Sequence, residues 1–72
     1  MTEDQVKLAT ALGRVTYPPG TAGKRFARSM ASIAEHQPDL EISEKQHAYM
    51  LSLAWRYRRQ MPADLVPPKP IS

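Results

Sequence analysis

The segment Gly20–Arg25 is the part of the sequence that most resembles a chemical site, because glycines alternate there with hydroxyl and cationic side chains. A phosphate-binding P-loop, however, requires glycine where Pro18 stands and serine or threonine where Arg25 stands. Such a loop also follows a strand, and no alternating apolar pattern precedes Pro18. The sequence therefore favours a glycine-containing turn that leads into a helix.

A first basic cluster, Lys24, Arg25 and Arg28, lies in the opening turns of that predicted helix. The partial positive charge of a helix N-terminus disfavours cations there, by roughly 0.3–1 kcal/mol each at exposed positions. Three cations at a helix N-terminus, where cations are disfavoured, predict a binding surface for an anionic partner. The alternative interpretation is a solvated basic face with a tolerable electrostatic cost.

A second basic cluster lies on the last predicted helix, on the arc opposite its apolar stripe. Tyr49 lies beside this arc, which is formed by Lys45, Ser52, Arg56 and Arg59. Such a face can follow a phosphate backbone while Tyr49 or Trp55 stacks on a base. The alternatives are an ordinary exposed face and a Trp55 that belongs to the core. The predicted partner or nucleic-acid site comprises Lys24, Arg25, Arg28, Lys45, Tyr49, Trp55, Arg56 and Arg59.

Neither catalysis nor metal binding is predicted. The histidines, His36 and His47, form no zinc-binding pattern, and the chain contains no cysteine. No spacing suggests a nucleophile with its base and orienting group. We expect no enzymatic activity, no catalytic or metal-ligating residue, no cofactor and no small-molecule substrate.

The first of three predicted helices is defined by its ends. Thr2 and Gln5 form a capping box, so that the helix runs from about Glu3 to Leu12. Gly13 suits the left-handed conformation that ends many helices.

The second predicted helix follows Thr21, a plausible N-cap, and ends before Pro38, which disfavours helical geometry at Gln37. Its apolar face is formed by Phe26, Met30, Ile33 and Ala34.

The third predicted helix begins at a second capping box, Ser43 with Gln46, and runs to about Met61, where Pro62 stops it. Its apolar stripe is formed by Met50, Leu53, Ala54, Tyr57 and Met61. The pattern predicts an all-α fold, a small three-helix bundle over residues 1–61, followed by a disordered, Pro-rich flexible tail over residues 62–72.

Composition sets limits on the partner and the location. The chain has 72 residues, a formal net charge of +3 and a pI near 9.6. This balance permits nucleic acid or an acidic protein surface as a partner. No apolar stretch is long enough for a membrane span, and the acidic N-terminus does not resemble a signal peptide. We expect a cytoplasmic protein that does not bind membranes.

Four segments carry a family resemblance: Pro19-Gly20, Lys24–Phe26, Ile42–Gln46 and Trp55–Pro62. They resemble segments of small basic phage and prophage proteins, and the chain is similar in size and character to the small transcription regulators of Xanthomonas phages. The resemblance implies a regulator that binds host RNA polymerase, inhibits host initiation and promotes terminator read-through (antitermination). It also implies the bacterial host cytoplasm and contact with nascent RNA or DNA.

Two alternatives remain open. One is a stand-alone DNA- or RNA-binding regulator, and the other is an inhibitor that blocks another host protein by occupancy.

Overall fold

A computed structural model describes residues 1–67 of the chain, and three helices dominate them. The helices are α1, Glu3–Gly13, α2, Ala22–His36, and α3, Glu44–Arg56. Two short 3₁₀ turns follow, Arg58–Gln60 and Ala63–Leu65, and no strand occurs in residues 1–67. The predicted all-α, three-helix fold is confirmed.

Capping boxes begin α1 and α3, as predicted. The Gln5 amide donates to Thr2 Oγ1 over 3.2 Å, and the Thr2 amide donates to Gln5 Oε1 over 2.9 Å. Ser43 and Gln46 exchange the same pair of bonds at the start of α3. Each box satisfies two backbone amides that would otherwise lack a partner in the helix.

The start of α2 is built differently. Thr21 occupies the predicted N-cap position, but its side chain caps no amide. Its hydroxyl instead donates to the Pro18 carbonyl over 2.9 Å, which closes the turn before the helix. The first amides of α2 therefore have no side-chain cap from Thr21.

α2 runs antiparallel to α1 and α3. At one end, the amino group of Met1 donates to the carbonyls of Pro38 and Leu40 in the α2–α3 loop. At the other end, the Gln60 side chain bonds to the backbone of Thr16 in the α1–α2 connection. The starts of α1 and α3 therefore lie near the end of α2, and their ends lie near its start.

Gly13 does not have the predicted left-handed conformation. It is the last residue of α1, and within residues 1–67 the glycine with a positive φ is Gly20, at 77°. A Cβ atom on Gly13 would lie 2.6 Å from Cβ of Ala31 on α2. Glycine is therefore required at position 13 for the close approach of α1 and α2, and not for a turn.

The core lies between the three helices and includes their predicted stripes. Of the stripe predicted for the third helix, all residues are buried except Tyr57, which is half-buried. Of the face predicted for the second helix, Phe26 and Ile33 are half-buried. The sequence did not predict Val15 and Tyr17, which bring the α1–α2 connection into the core. The buried apolar residues are Leu8, Ala9, Ala11, Leu12, Val15, Tyr17, Ala27, Met30, Ala34, Met50, Leu53, Ala54 and Met61.

The chain after α3 departs from prediction. α3 ends at Arg56, whereas it was expected to reach Met61; the backbone continues as a 3₁₀ turn and Met61 still reaches the core. Leu65 and Val66 also pack against the core. Packing therefore extends beyond the predicted boundary at Met61, and the part of the predicted tail at residues 68–72 lies outside the described residues.

Replacing Gly13 with Ala should destabilise the protein. Gly→Ala in a helix ordinarily stabilises by about 0.5–1 kcal/mol. Here the added methyl would collide with Ala31, and overpacking typically costs about 1–3 kcal/mol. We expect a net loss of about 1 kcal/mol in the free energy of unfolding, measured by urea denaturation.

The matched control exchanges the methyl group between helices. Gly13→Ala combined with Ala31→Gly removes the collision, so its stability should return close to that of the original protein. A Gly13→Ala variant that is more stable than the original would contradict the close approach.

Candidate functional site

The arrangement of the helices brings the first predicted basic cluster together with Arg56 and Arg59 of the second at one end of the molecule. Lys24, Arg25 and Arg28 border an open hollow with the turn Gly20–Ala22. Arg56 borders a neighbouring hollow that also includes Thr21 and Ala22. We call this end the basic pole; its exposed cations are Arg14, Lys24, Arg25, Arg28, Arg56, Arg58 and Arg59.

The carboxylates lie towards the other end. Most belong to the first turn of α1, the last turn of α2, the loop after it and the first turn of α3; Asp64 borders a groove with Asp4 and His47. We call this end the acidic pole; its carboxylates are Glu3, Asp4, Glu35, Asp39, Glu41, Glu44 and Asp64. Two long stretches without Asp or Glu contribute to the separation, one between Gln5 and Ala34 and the other between Lys45 and Ala63.

No carboxylate within residues 1–67 neutralises the basic pole. The close contacts between a carboxylate and a basic side chain in this part of the chain are Lys7 with Glu3, at 3.7 Å, and His36 with Glu35, at 3.8 Å. Both pairs lie at the acidic pole. The cations of the basic pole therefore repel one another. The partial positive charge at the start of α2 adds to their potential, whereas the partial negative charges at the ends of α1 and α3 reduce it.

A groove separates the start of α2 from the outer face of α3. Gly23 allows the two helices to approach, since a Cβ there would lie 3.0 Å from Leu53 Cδ2. Tyr49 borders the groove and is 39% exposed, and its ring packs at a centroid distance of 4.4 Å against Phe26. We call this the tyrosine groove; its lining includes Pro18, Thr21, Tyr49, Ser52, Arg56 and Tyr57.

Not all of the predicted site residues share this surface. Arg59 borders a hollow with Arg56 at the edge of the basic pole. Lys45 lies in the first turn of α3, roughly 16 Å along the helix axis from Arg56 at 1.5 Å per residue. It therefore stands beside Glu44 at the acidic pole, apart from the other predicted site residues.

Trp55 lies in an intramolecular pair with Arg58. The guanidinium carbon of Arg58 is 4.4 Å from the centre of the Trp55 ring, and Arg58 Nη1 donates to the Trp55 carbonyl over 3.0 Å. The indole is half-buried. One face of Trp55 is thus covered by a cation of the same chain.

The sequence interpretation missed Arg14 and Arg58 as members of the basic surface, and Tyr57 as part of the groove. The signal for the two arginines was present in the long stretches without carboxylates that contain them. Tyr57 was assigned to the core stripe. It is half-buried, so that it packs against the core and also lines the groove.

Tyr17 and Gln60 hold the two halves of the basic pole together. The Tyr17 hydroxyl donates to the Leu12 carbonyl over 2.8 Å, and its ring meets Tyr57 edge-on with centroids 4.8 Å apart. The Gln60 side chain accepts from the Thr16 amide over 2.8 Å and donates to the Thr16 carbonyl over 3.2 Å. The connection before α2 is therefore fixed against the end of α3.

Burial, followed by the neighbouring Tyr57 and Tyr49 phenols, raises the pKa of the Tyr17 phenol from 10.0 to about 12. The phenol must keep its proton to donate to the Leu12 carbonyl. The hydrogen bond between the connection and α1 is thus tied to the neutral form of Tyr17.

The part of the chain that the structure describes offers little for other kinds of site. It contains no group of three or more His, Asp or Glu side chains placed to hold a metal ion. Nor does any of its helices have the length and apolar character needed to cross a membrane. His47 Nδ1 lies 3.3 Å from Gln5 Nε2, in a contact between α3 and α1.

Replacing Tyr17 with Phe should remove a loss of stability at alkaline pH. The unfolded chain releases the Tyr17 proton near pH 10, whereas the folded state holds it to about pH 12, so folding becomes less favourable as the pH rises through this range. We expect the original protein to lose on the order of 1–2 kcal/mol more than Tyr17→Phe between about pH 9 and 12. At neutral pH the variant should be less stable by about 1 kcal/mol, because the bond to Leu12 is lost. Parallel pH profiles of the unfolding free energy would contradict a buried, proton-donating Tyr17.

Comparison of the chain with models of known protein families, with curated proteins and with solved structures yields no match.

Proposed function

We propose that the chain is a non-catalytic regulator that binds nucleic acid through its basic pole. The observation that carries this proposal is the separation of charge. The cations of the basic pole are exposed and have no carboxylate partner within residues 1–67, although the net charge of the whole chain is only +3.

A polyanion is the partner that gains most from such a surface. When clustered cations neutralise the phosphates of a nucleic acid, the counterions condensed on that nucleic acid are released. This release is the main source of sequence-independent affinity for nucleic acids. The acidic pole would repel the same polyanion. The charge distribution therefore favours one orientation of the protein on a nucleic acid as well as its affinity.

Binding to host RNA polymerase is the second candidate, and the resemblance to small phage regulators favours it. The segment Trp55–Pro62, which carries part of that resemblance, forms one edge of the basic pole. Trp55 and Arg58 lie together there, and aromatic and arginine side chains are enriched in the energetic centres of protein interfaces. A regulator of this kind would dock on polymerase through this edge and contact RNA or DNA through the rest of the pole. Occupancy of another host protein through the same edge is the corresponding alternative.

The proposal predicts that position, and not net charge, decides affinity. Lys24→Gln with Arg56→Gln removes one cation from each side of the basic pole, and Lys7→Gln with Lys45→Gln removes two cations at the acidic pole. Both double variants have the same net charge. We expect the first to bind RNA and DNA more weakly, with a slope of log affinity against log salt shallower by about 0.7–0.9 per lost phosphate contact, and the second to bind like the original protein. Equal weakening by both double variants would show that the basic pole is not the binding surface.

The two candidates are separated by binding to purified polymerase. If polymerase is the main partner, nuclease treatment should leave binding intact, Trp55→Ala should weaken it strongly, and the salt dependence should be mild. If nucleic acid is the main partner, nuclease should abolish the association and Trp55→Ala should have little effect. Circular dichroism of each variant checks that it is folded.

A further inference from the structure

We infer that the tyrosine groove receives an unpaired base of single-stranded nucleic acid, which stacks on Tyr49. This inference rests on the proposed function, because it assumes that the basic pole holds the phosphate backbone. It adds the form of the nucleic acid and the residue that recognises it.

Tyr49 has the position and support of a stacking platform. Among the described residues, Leu40 and Tyr49 are the large apolar side chains that remain exposed, and Leu40 lies in the loop at the acidic pole. Phe26 packs against the Tyr49 ring at 4.4 Å with an interplanar angle of 36°, so the ring is supported from one side while it borders the groove. A supported ring loses little conformational freedom when a base stacks on it.

Cations flank the groove on both sides. Arg56 lies on the groove wall itself. Lys24, Arg25 and Arg28 lie beyond the Thr21–Ala22 edge that the groove shares with the neighbouring hollow. A strand that crosses this edge can place phosphates near cations before and after the base that enters the groove. Alternation of cations with an aromatic ring is the arrangement by which proteins bind single strands with little sequence preference.

The shape of the groove distinguishes a single strand from a duplex. The groove is concave, with a volume of about 330 Å³, at the lower end of the ~300–1,000 Å³ range of small-ligand sites. In a duplex the faces of the bases are stacked on one another, and exposing one requires flipping, which costs a few kcal/mol. A duplex can therefore reach the basic pole with its phosphates but cannot place a base on Tyr49. Trp55 does not offer an equivalent platform, because it is half-buried and borders neither the tyrosine groove nor the hollow beside it.

Fluorescence anisotropy with three labelled probes tests the inference: oligo-uridine RNA and oligo-thymidine DNA of about 12 nucleotides, and a DNA duplex of similar length. Tyr49→Ala should weaken binding of both single strands by roughly 5- to 150-fold, the loss of one stacking contact, and leave duplex binding unchanged. Tyr49→Phe keeps the ring and should bind single strands almost as tightly as the original protein. Similar affinity for RNA and DNA would indicate recognition by stacking alone, and tighter RNA binding would add a contact to the 2′-hydroxyl.

A second measurement uses the original protein and does not depend on the stability of a variant. A single strand that carries 5-iodouracil should cross-link to Tyr49 on irradiation, and peptide mass spectrometry would locate the product. Cross-links at other residues but not at Tyr49, together with unchanged single-strand binding by Tyr49→Ala, would overturn the inference. If the original protein still binds the duplex and the single strands in that case, the proposed function stands without the stacking inference. If the original protein binds none of the three probes, the proposed function and the stacking inference are both wrong.

Discussion

The close contact between α1 and α2 is the constraint on which the rest of the structure depends. At the point where Gly13 meets Ala31, the backbones are so close that a single additional methyl group does not fit. Small buried residues elsewhere on the two helices, Ala9, Ala27 and Ala34, are consistent with the same tight approach. The larger side chains of α3, above all Met50, then complete the core from one side. A short chain has little apolar surface to bury, so the close packing of α1 against α2 matters for its stability.

The charge distribution follows from this packing. Because α2 runs antiparallel to α1 and α3, the start of α2 lies beside the end of α3, and cations that are far apart in sequence meet there. The carboxylates that begin α1 and α3 and end α2 collect at the opposite end. Both capping boxes also lie at the acidic pole, whereas the start of α2 at the basic pole has no side-chain cap from Thr21. The helix with the least local stabilisation at its start is thus the one placed among unpaired cations. Lys24, Arg25 and Arg28 oppose the dipole of α2, whereas Arg56 in the last turn of α3 complements the dipole of its own helix. The cations at the start of α2 therefore contribute least to the stability of the isolated domain, which favours a role in binding a partner.

The features that could be predicted from the sequence are those that depend on neighbours along the chain. Capping boxes and apolar periodicity defined the starts of α1 and α3 and most of the core face of α3. The features that could not be predicted depend on contacts between elements. A glycine at position 13 is typical of a residue that ends a helix. Only the position of Ala31 shows that this glycine is needed for the close packing of α1 against α2. α3 ends at Arg56 although the apolar period continues, and the chain that follows is held by the bonds of Gln60 to Thr16. Lys45 and Arg56 share a helix face, but the separation of the poles depends on which helix ends lie side by side.

The central claim is that the basic pole, including the tyrosine groove, is the surface that contacts nucleic acid. Amide chemical shifts of ¹⁵N-labelled protein, followed during titration with a single strand of about 12 nucleotides, test it most directly. The account predicts that the largest shifts occur in residues 20–28 and 49–60, that they diminish as salt is added, and that residues 2–7 and 35–47 remain nearly unchanged. Shifts spread evenly over both poles, or concentrated at the acidic pole, would contradict it.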